Sequence, residues 1–288
     1  MVLFISQLAR EHGIKVLLSG AGGDDIFSGY RRHYALSQEG KWKWLPRILR
    51  KKLKSLAARI PITNLYGRRL AKAFQYADYD ADERIVSYFF LLDPKIQQIL
   101  YSPELRQALA GVAPSEPLVM SLNNIPANIH ALNKMLYLEG KHFLTDHNLN
   151  YTDKMSMAVG VEVRVPLLDP ELVRFAAVLP PRLKQHGGEG KWIFKKAMEP
   201  FLPHEVIYRR KTGFGVPLRY WLRHKLRPVV EDVLSKSSLT NRGLFDPTGV
   251  HQLVKMDRDG RIDASYPIFE LMCIELWCRI FIDGKTSM

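Results

Sequence analysis

The sequence predicts an α/β fold that is mostly helical, and three observations carry that reading. One short apolar run, Val16, Leu17 and Leu18, breaks abruptly into a glycine-rich, acidic turn, which reads as a buried strand feeding a loop that can hold a ligand. Much of the remaining chain repeats apolar residues at helical spacing behind Asp-Pro and Ser-Pro pairs, the signature of helix starts. With 288 residues, 47% of them hydrophobic, the chain can bury a substantial core as one large or two modest domains.

Taken in order, MVLFISQLAREHGIKV reads as a helix leading into the strand; it has no basic segment ahead of its apolar start and no small-residue cleavage site, so it does not read as a signal peptide. The turn that follows is Ser19, Gly20, Ala21, Gly22, Gly23, Asp24 and Asp25. Its glycines would let backbone N–H groups approach a bulky polar group, and the paired carboxylates of Asp24 and Asp25 suit a Mg²⁺ ion bridged to phosphate oxygens. A plain turn fits the same residues.

The formal net charge is +13, and its source is local: residues 41–72 hold eleven Lys or Arg and no Asp or Glu. Pro46 suits a first helical position, and Leu45, Ile48, Leu49, Leu53 and Leu56 fall at helical spacing between cations, which makes a cationic amphipathic helix. The favoured reading packs its apolar stripe on the domain with a solvated basic face. An anionic membrane surface and RNA stand behind that, with Trp42 and Trp44 keeping the interfacial reading open.

From about 80 to 140 the pattern is helical, with Ile85, Tyr88, Phe89 and Leu92 forming a stripe, then Ile96, Ile99 and Leu100. Helix starts are expected at Asp93-Pro94 and Ser102-Pro103, a loop with three prolines between Ala113 and Pro126, and a further helix over 133–144. Met155 and Met157 suggest a helical turn. Val161, Val163 and Val165 alternate with Glu162 and Arg164, so the charged pair should emerge opposite the valines, either beside a ligand or as a buried salt bridge that fixes the fold. Asp169, Pro170 and Glu171 open the helix ELVRFAAVL. Gly187, Gly188, Glu189 and Gly190 form a flexible approach to a helix with Lys191 just inside its start, where a lysine could reach an anion; Lys195 and Lys196 should face solvent. Lys211, Thr212, Gly213, Phe214 and Gly215 read as a loop closing one wall of a cleft. Cys273 and Cys278 lie in an apolar helical pattern and read as core thiols in a reducing cytoplasm. No apolar run reaches the ~18 residues of a membrane span, and no HExxH-like spacing suggests a metal site.

Four stretches, LLSGAGGDDIFSGYRRH (17–33), DHNLNYTDKMSMAVGVEVRVPLLD (146–169), GGEGKWIFKKAM (187–198) and RRKTGFGVPLRYWL (209–222), resemble in order and approximate spacing the C-terminal synthetase domain of the glutamine-hydrolysing asparagine synthetase family. The likeness is strong to about residue 225 and loose beyond it. It implies the C-terminal part of an adenine-nucleotide α-hydrolase-like (PP-loop ATPase) domain, with 1–288 a partial synthetase domain and 41–72 a basic insertion in it. It also implies a cytoplasmic ligase of asparagine biosynthesis that uses ATP and Mg²⁺, activates aspartate or a similar carboxylate as an acyl-adenylate, and amidates it with ammonia from a glutaminase domain. On this resemblance Ser19, Gly20 and Gly22 sit at the nucleotide, Asp24 and Asp25 face metal and pyrophosphate, and Lys191 and Asp24 are the catalytic pair.

Three departures qualify the resemblance. The glutaminase domain, with its cysteine directly after the initiator methionine, is absent, and Val2 stands there. The pyrophosphate loop SGGxDS of an earlier strand is absent too. Ala21 replaces an acidic residue linked to forming or using the aspartyl-adenylate. The chain therefore reads as the C-terminal piece of a longer enzyme or one half of a split one, inactive alone. Two rival readings are an RNA-binding relative of the same superfamily, resting on the basic helix, and a non-catalytic partner subunit, resting on Ala21.

Overall fold

The computed structural model describes residues 1–60, 65–209 and 216–284. The first elements are α1 (Val2–Glu11), β1 (Val16–Leu18), α2 (Gly23–Ile26), α3 (Arg31–Gln38), α4 (Arg47–Ala57), α5 (Leu65–Phe74), α6 (Ala81–Ser87), α7 (Pro94–Leu100) and α8 (Pro103–Ala108). Next come α9 (Glu116–Asn123), α10 (Ala131–Leu138), a π-helical stretch (Glu139–Leu149), α11 (Asn150–Met157), β2 (Glu162–Arg164), α12 (Pro170–Val178), α13 (Pro181–Lys184), β3 (Gln185–His186), β4 (Glu189–Gly190) and α14 (Trp192–Met198). The chain closes with α15 (His204–Ile207), α16 (Leu218–Arg223), α17 (Arg227–Val233), α18 (Lys236–Arg242), α19 (Pro247–Arg258) and α20 (Ser265–Phe281). The expected α/β, mostly helical chain is what forms. Among the described residues no helix is long and apolar enough to cross a membrane.

The chain divides into two compact units, one of residues 1–50, 77–88 and 115–210, the other of 51–76, 89–114 and 211–288. In the first unit β1 pairs with the segment of alternating valines, β2, in parallel, Val16 opposite Glu162 and Leu18 opposite Arg164. Val161 is fully buried while Glu162 and Arg164 point outward, as the alternation requires. Their ion pair, 2.7 Å long, is exposed and not a buried clamp. The strand itself is less buried than its apolar run suggests: Val16 and Leu18 are exposed, Leu18 to 75%. α1 rests Ser6 and Ala9 inward, packing against α11.

Asp169 accepts from the N–H groups of Glu171 and Leu172 at 2.9 and 3.2 Å and so starts α12 as expected. Two elements of this unit differ from expectation. The three-proline loop contains α9, because Pro117 sits in a first helical turn, where a missing N–H costs nothing. The glycines at 187–190 are not a flexible approach; β3 and β4 pair antiparallel, His186 opposite Glu189, in a tight hairpin.

The second unit has an apolar core built from Leu100, Leu222, Val230, Val233, Leu239, Val250, Leu253, Ile268, Leu271 and Met272, with Leu92 and Ile96 packed on it. Asp93 and Ser102 cap α7 and α8 as expected, accepting from Lys95 N–H at 2.9 Å and Leu105 N–H at 3.0 Å. Cys278 is buried in α20 but Cys273 is exposed, so only one of the two is a core thiol.

Candidate functional site

The residues singled out around the glycine-rich turn meet in the first unit. Past β1, Ser19 Oγ accepts the N–H of Ala21 at 3.2 Å, closing a small hydroxyl-bonded turn. Gly22 precedes α2 with φ of 88°, and a side chain there would run into Leu168, so only glycine turns the chain here. Gly20 is exposed and a Cβ on it would meet nothing. The short helix then carries Asp24, partly buried, and Asp25, fully buried.

Lys191 arrives from the far end of the β3–β4 hairpin. It is not inside α14 but caps it, in the left-handed region with φ of 56°, and its N–H donates to Phe27 O at 2.9 Å. Ser28, also left-handed at φ of 68°, donates its hydroxyl to Gln185 Oε1 at 3.0 Å. Two strained non-glycine residues thus tie hairpin to turn, and strain of this kind persists only where the surroundings enforce it. The result is that Lys191 Nζ lies 2.7 Å from Asp24 Oδ1. Gly29 makes this approach possible: a Cβ there would fall on the Asp24 carboxylate and the Lys191 stem. Lys195 does not face open solvent; it is partly buried and pairs with Glu189 at 2.7 Å, whereas exposed Lys196 pairs with Glu199.

Behind Asp25 stands a polar network that sequence reasoning did not assign. The Tyr30 hydroxyl donates to the Asp25 carboxylate at 3.2 and 3.3 Å and accepts from Asn148 Nδ2 at 3.3 Å. Glu139, fully buried, is gripped by both nitrogens of the Arg32 fork and lies 3.1 Å from His33 Nε2. Because His33 Nδ1 accepts the Tyr30 N–H at 3.3 Å, the neutral ring carries its proton on Nε2 and gives it to Glu139. Arg32 also lies over the rings of Tyr30 and Phe143, 4.9 and 4.7 Å from their centroids. Tyr30, Arg32 and His33 stand in the YRRH run at the end of the first motif, which was the only sequence signal for them. Glu139, Phe143 and Asn148 come from the π-helical stretch, whose departure from α-geometry leaves no mark in the periodicity.

The electrostatics separate the two buried carboxylates, Asp25 and Glu139. Burial, then the nearby charge of Glu139, pushes Asp25 up to about 6 despite the Tyr30 hydrogen bond. Burial pushes Tyr30 upward, helped by Asp25 and Asp24, so it stays a neutral donor. Burial would also raise Glu139, but hydrogen bonds from His33 and Arg32 outweigh it and hold Glu139 below the usual carboxylate range. His33 is lowered by burial and stays neutral. Among the described residues no group of three or more His, Cys, Asp or Glu is arranged to hold a metal. The segment Lys211, Thr212, Gly213, Phe214 and Gly215 lies outside the described residues.

A short parallel strand ends in a glycine turn with an acidic pair, and a later hairpin brings a lysine onto that turn, in an α/β chain that is mostly helical. The chain belongs to the asparagine synthase family, a family of ligases, whose model matches residues 1–279. It is similar to glutamine-hydrolyzing asparagine synthetase 1 of Bacillus subtilis, 26% identical over 98% of this chain and 43% of that one. A chain of Mycobacterium tuberculosis, provisionally named as a glutamine-hydrolyzing asparagine synthetase, is 27% identical over 99% of this chain and 42% of its own length. Amidase chyE of Penicillium rubens is 24% identical over 88% and 40%. The chain therefore spans about two fifths of the length of the curated relatives it matches. No solved structure matches it.

Proposed function

We propose that the chain is the synthetase part of an ATP-dependent ligase that activates a carboxylate, aspartate or a related acid, as an acyl-adenylate and transfers ammonia to it. The observation that carries this reading is Lys191 held 2.7 Å from Asp24 at the mouth of the glycine turn by two left-handed residues. Attack of a carboxylate on a nucleotide brings negative charge onto negative charge, and a fixed cation at the phosphates relieves that repulsion as it grows. Lys191 supplies the cation, and Asp24 holds it in place until phosphate oxygens compete for it. Ser19, Gly20 and Gly22 form the wall along which a nucleotide would lie, Gly20 leaving open space.

Asp24 and Asp25 suit a Mg²⁺ ion in number, since this ion keeps several waters and takes only one or two carboxylates beside phosphate oxygens. When bound it would supply further neutralisation of the pyrophosphate leaving group. Tyr30, whose hydroxyl accepts from Asn148, holds the Asp25 carboxylate at a fixed angle, and Glu139 with Arg32 and His33 holds Tyr30 and its neighbours from behind. Ala21 has no group that could accept a proton from ammonia, which favours an acceptor or partner group other than a side chain at this position.

The test is to isolate the protein from its source cells, in the length in which it occurs there, and supply ATP, aspartate and ammonia. AMP and pyrophosphate are expected, with heavy oxygen passing from labelled carboxylate to AMP, and Lys191→Ala should lower the rate by about a hundredfold or more. Formation of ADP and phosphate, or a rate indifferent to Lys191, would overturn the reading.

A further inference from the structure

The cationic helix α4 does not bury the whole of the apolar stripe that its sequence pattern offers: Leu45 and Leu53 are half-buried. Its apolar residues were expected inward, yet Ile48 is 72% exposed, Leu56 59% and Leu49 43%, and Trp44 just ahead of the helix is 75% exposed. The side turned inward is led by a cation: Arg50 is buried, donating to the carbonyls of Leu45, Ala77 and Tyr79 at 3.0 to 3.1 Å and pairing with Asp80 at 2.5 Å. Ala57, seven residues on, is buried on the same side. Ile48, Lys52 and Leu56 follow one another at i, i+4 and i+8, and Leu49 lies beside them, so the outward face alternates apolar side chains with an exposed ammonium. Arg47 and Lys51 border that face and are exposed as well.

We propose that α4, with Trp44, is a docking face for an anionic lipid surface. A helix that shows aliphatic side chains and lysines together, with a tryptophan at its start, matches the boundary between headgroups and acyl chains, where the apolar residues leave water and the cations meet lipid phosphate. Charge complementarity selects the partner: residues 41–72 contain eleven cations and no acid, so a neutral or basic partner gains nothing from this face. RNA would use the lysines, but its phosphates and bases offer no reason to keep Ile48, Leu49 and Leu56 uncovered.

Sedimentation of the full chain with phosphatidylcholine–phosphatidylglycerol vesicles, against pure phosphatidylcholine vesicles, tests the proposal. Binding is expected only to the anionic vesicles. It should fall about 30-fold in Lys51→Gln/Lys52→Gln, and about tenfold or more in Ile48→Ser/Leu56→Ser, whose side chains are already exposed and whose folding should be undisturbed. Brominated acyl chains should quench tryptophan emission in the parent chain and less in Trp44→Phe. Absence of binding to either vesicle would overturn the proposal. So would binding unchanged by Ile48→Ser/Leu56→Ser, which would mark a polyanion-binding face. RNA binding that disappears with the lysines while vesicles are ignored would assign the helix to nucleic acid instead.

Discussion

Asp25 is the residue whose protonation the fold controls most. Its carboxyl is lifted from 3.8 to about 6, first by burial and next by Glu139. The folded chain keeps the Asp25 proton up to about pH 6, while the unfolded chain loses it near 3.8, so between these values the folded state binds more protons. The contribution of Asp25 to stability is therefore present at low pH and is lost as pH rises through this window, by about 2 to 3 kcal/mol at most in the metal-free chain. Urea midpoints measured across the window should show this decline, and Asp25→Asn, which keeps a hydrogen-bond partner for Tyr30, should flatten it and be the more stable form above pH 6. An Asp25→Asn chain with the parent's slope would mean that another group titrates there. Residue types drew attention to Asp24, Asp25 and Lys191, two carboxylates after a glycine turn and a lysine after a second glycine run, but the family resemblance was what gave them roles. What they touch was not legible: that Lys191 grips Asp24, and that Asn148 holds the Tyr30 hydroxyl on which Asp25 leans, depends on contacts between positions more than a hundred apart.

At the scale of elements, the π-helical stretch Glu139–Leu149 matters most. It continues α10 into α11 and delivers Glu139, Phe143 and Asn148 to the turn that follows β1. Glu139 is fully buried with its charge met by the Arg32 fork and the His33 ring. Removing one member of such a group strands the other charge away from water, so Glu139→Ala should lower stability by about 3 to 5 kcal/mol. Glu139→Gln should cost less, because it keeps the shape and an oxygen for Arg32. Denaturant midpoints decide this; a loss under about 1 kcal/mol for Glu139→Ala would show that water reaches the Arg32 pocket. A helix over 133–144 was legible from its apolar repeat, but the wider turn was not, since one inserted residue per turn shifts faces without changing composition. Helix α4 teaches the complementary lesson. Its amphipathic pattern named the helix correctly and its orientation only in part, because polar contacts from one guanidinium, Arg50, to three carbonyls and the Asp80 carboxylate outweighed a modest apolar stripe.

For the whole molecule the telling feature is how little sheet the glycine turn rests on. Among the described residues β1 and β2 pair only with each other, parallel and three residues long, and parallel sheets are ordinarily covered on both faces by helices. Here Val16 and Leu18 are exposed, as are Phe4 of α1 and Val178 of α12, at 72% and 79%. An open α/β site lies where strand order reverses, and two strands define no reversal. The chain also spans only about two fifths of the relatives it matches. These facts together predict that the 288-residue chain by itself forms negligible AMP from ATP with aspartate and ammonia, although Lys191 and Asp24 meet at the turn. The comparison that gives this meaning is Lys191→Ala in the same chain, which sets the background of contaminating nucleotide hydrolysis. Parent and variant should be indistinguishable in AMP release. Turnover by the parent that vanishes in Lys191→Ala would mean that two strands and the hairpin suffice to hold a nucleotide, and that the exposed apolar side chains of β1, α1 and α12 need no cover for the chemistry to proceed.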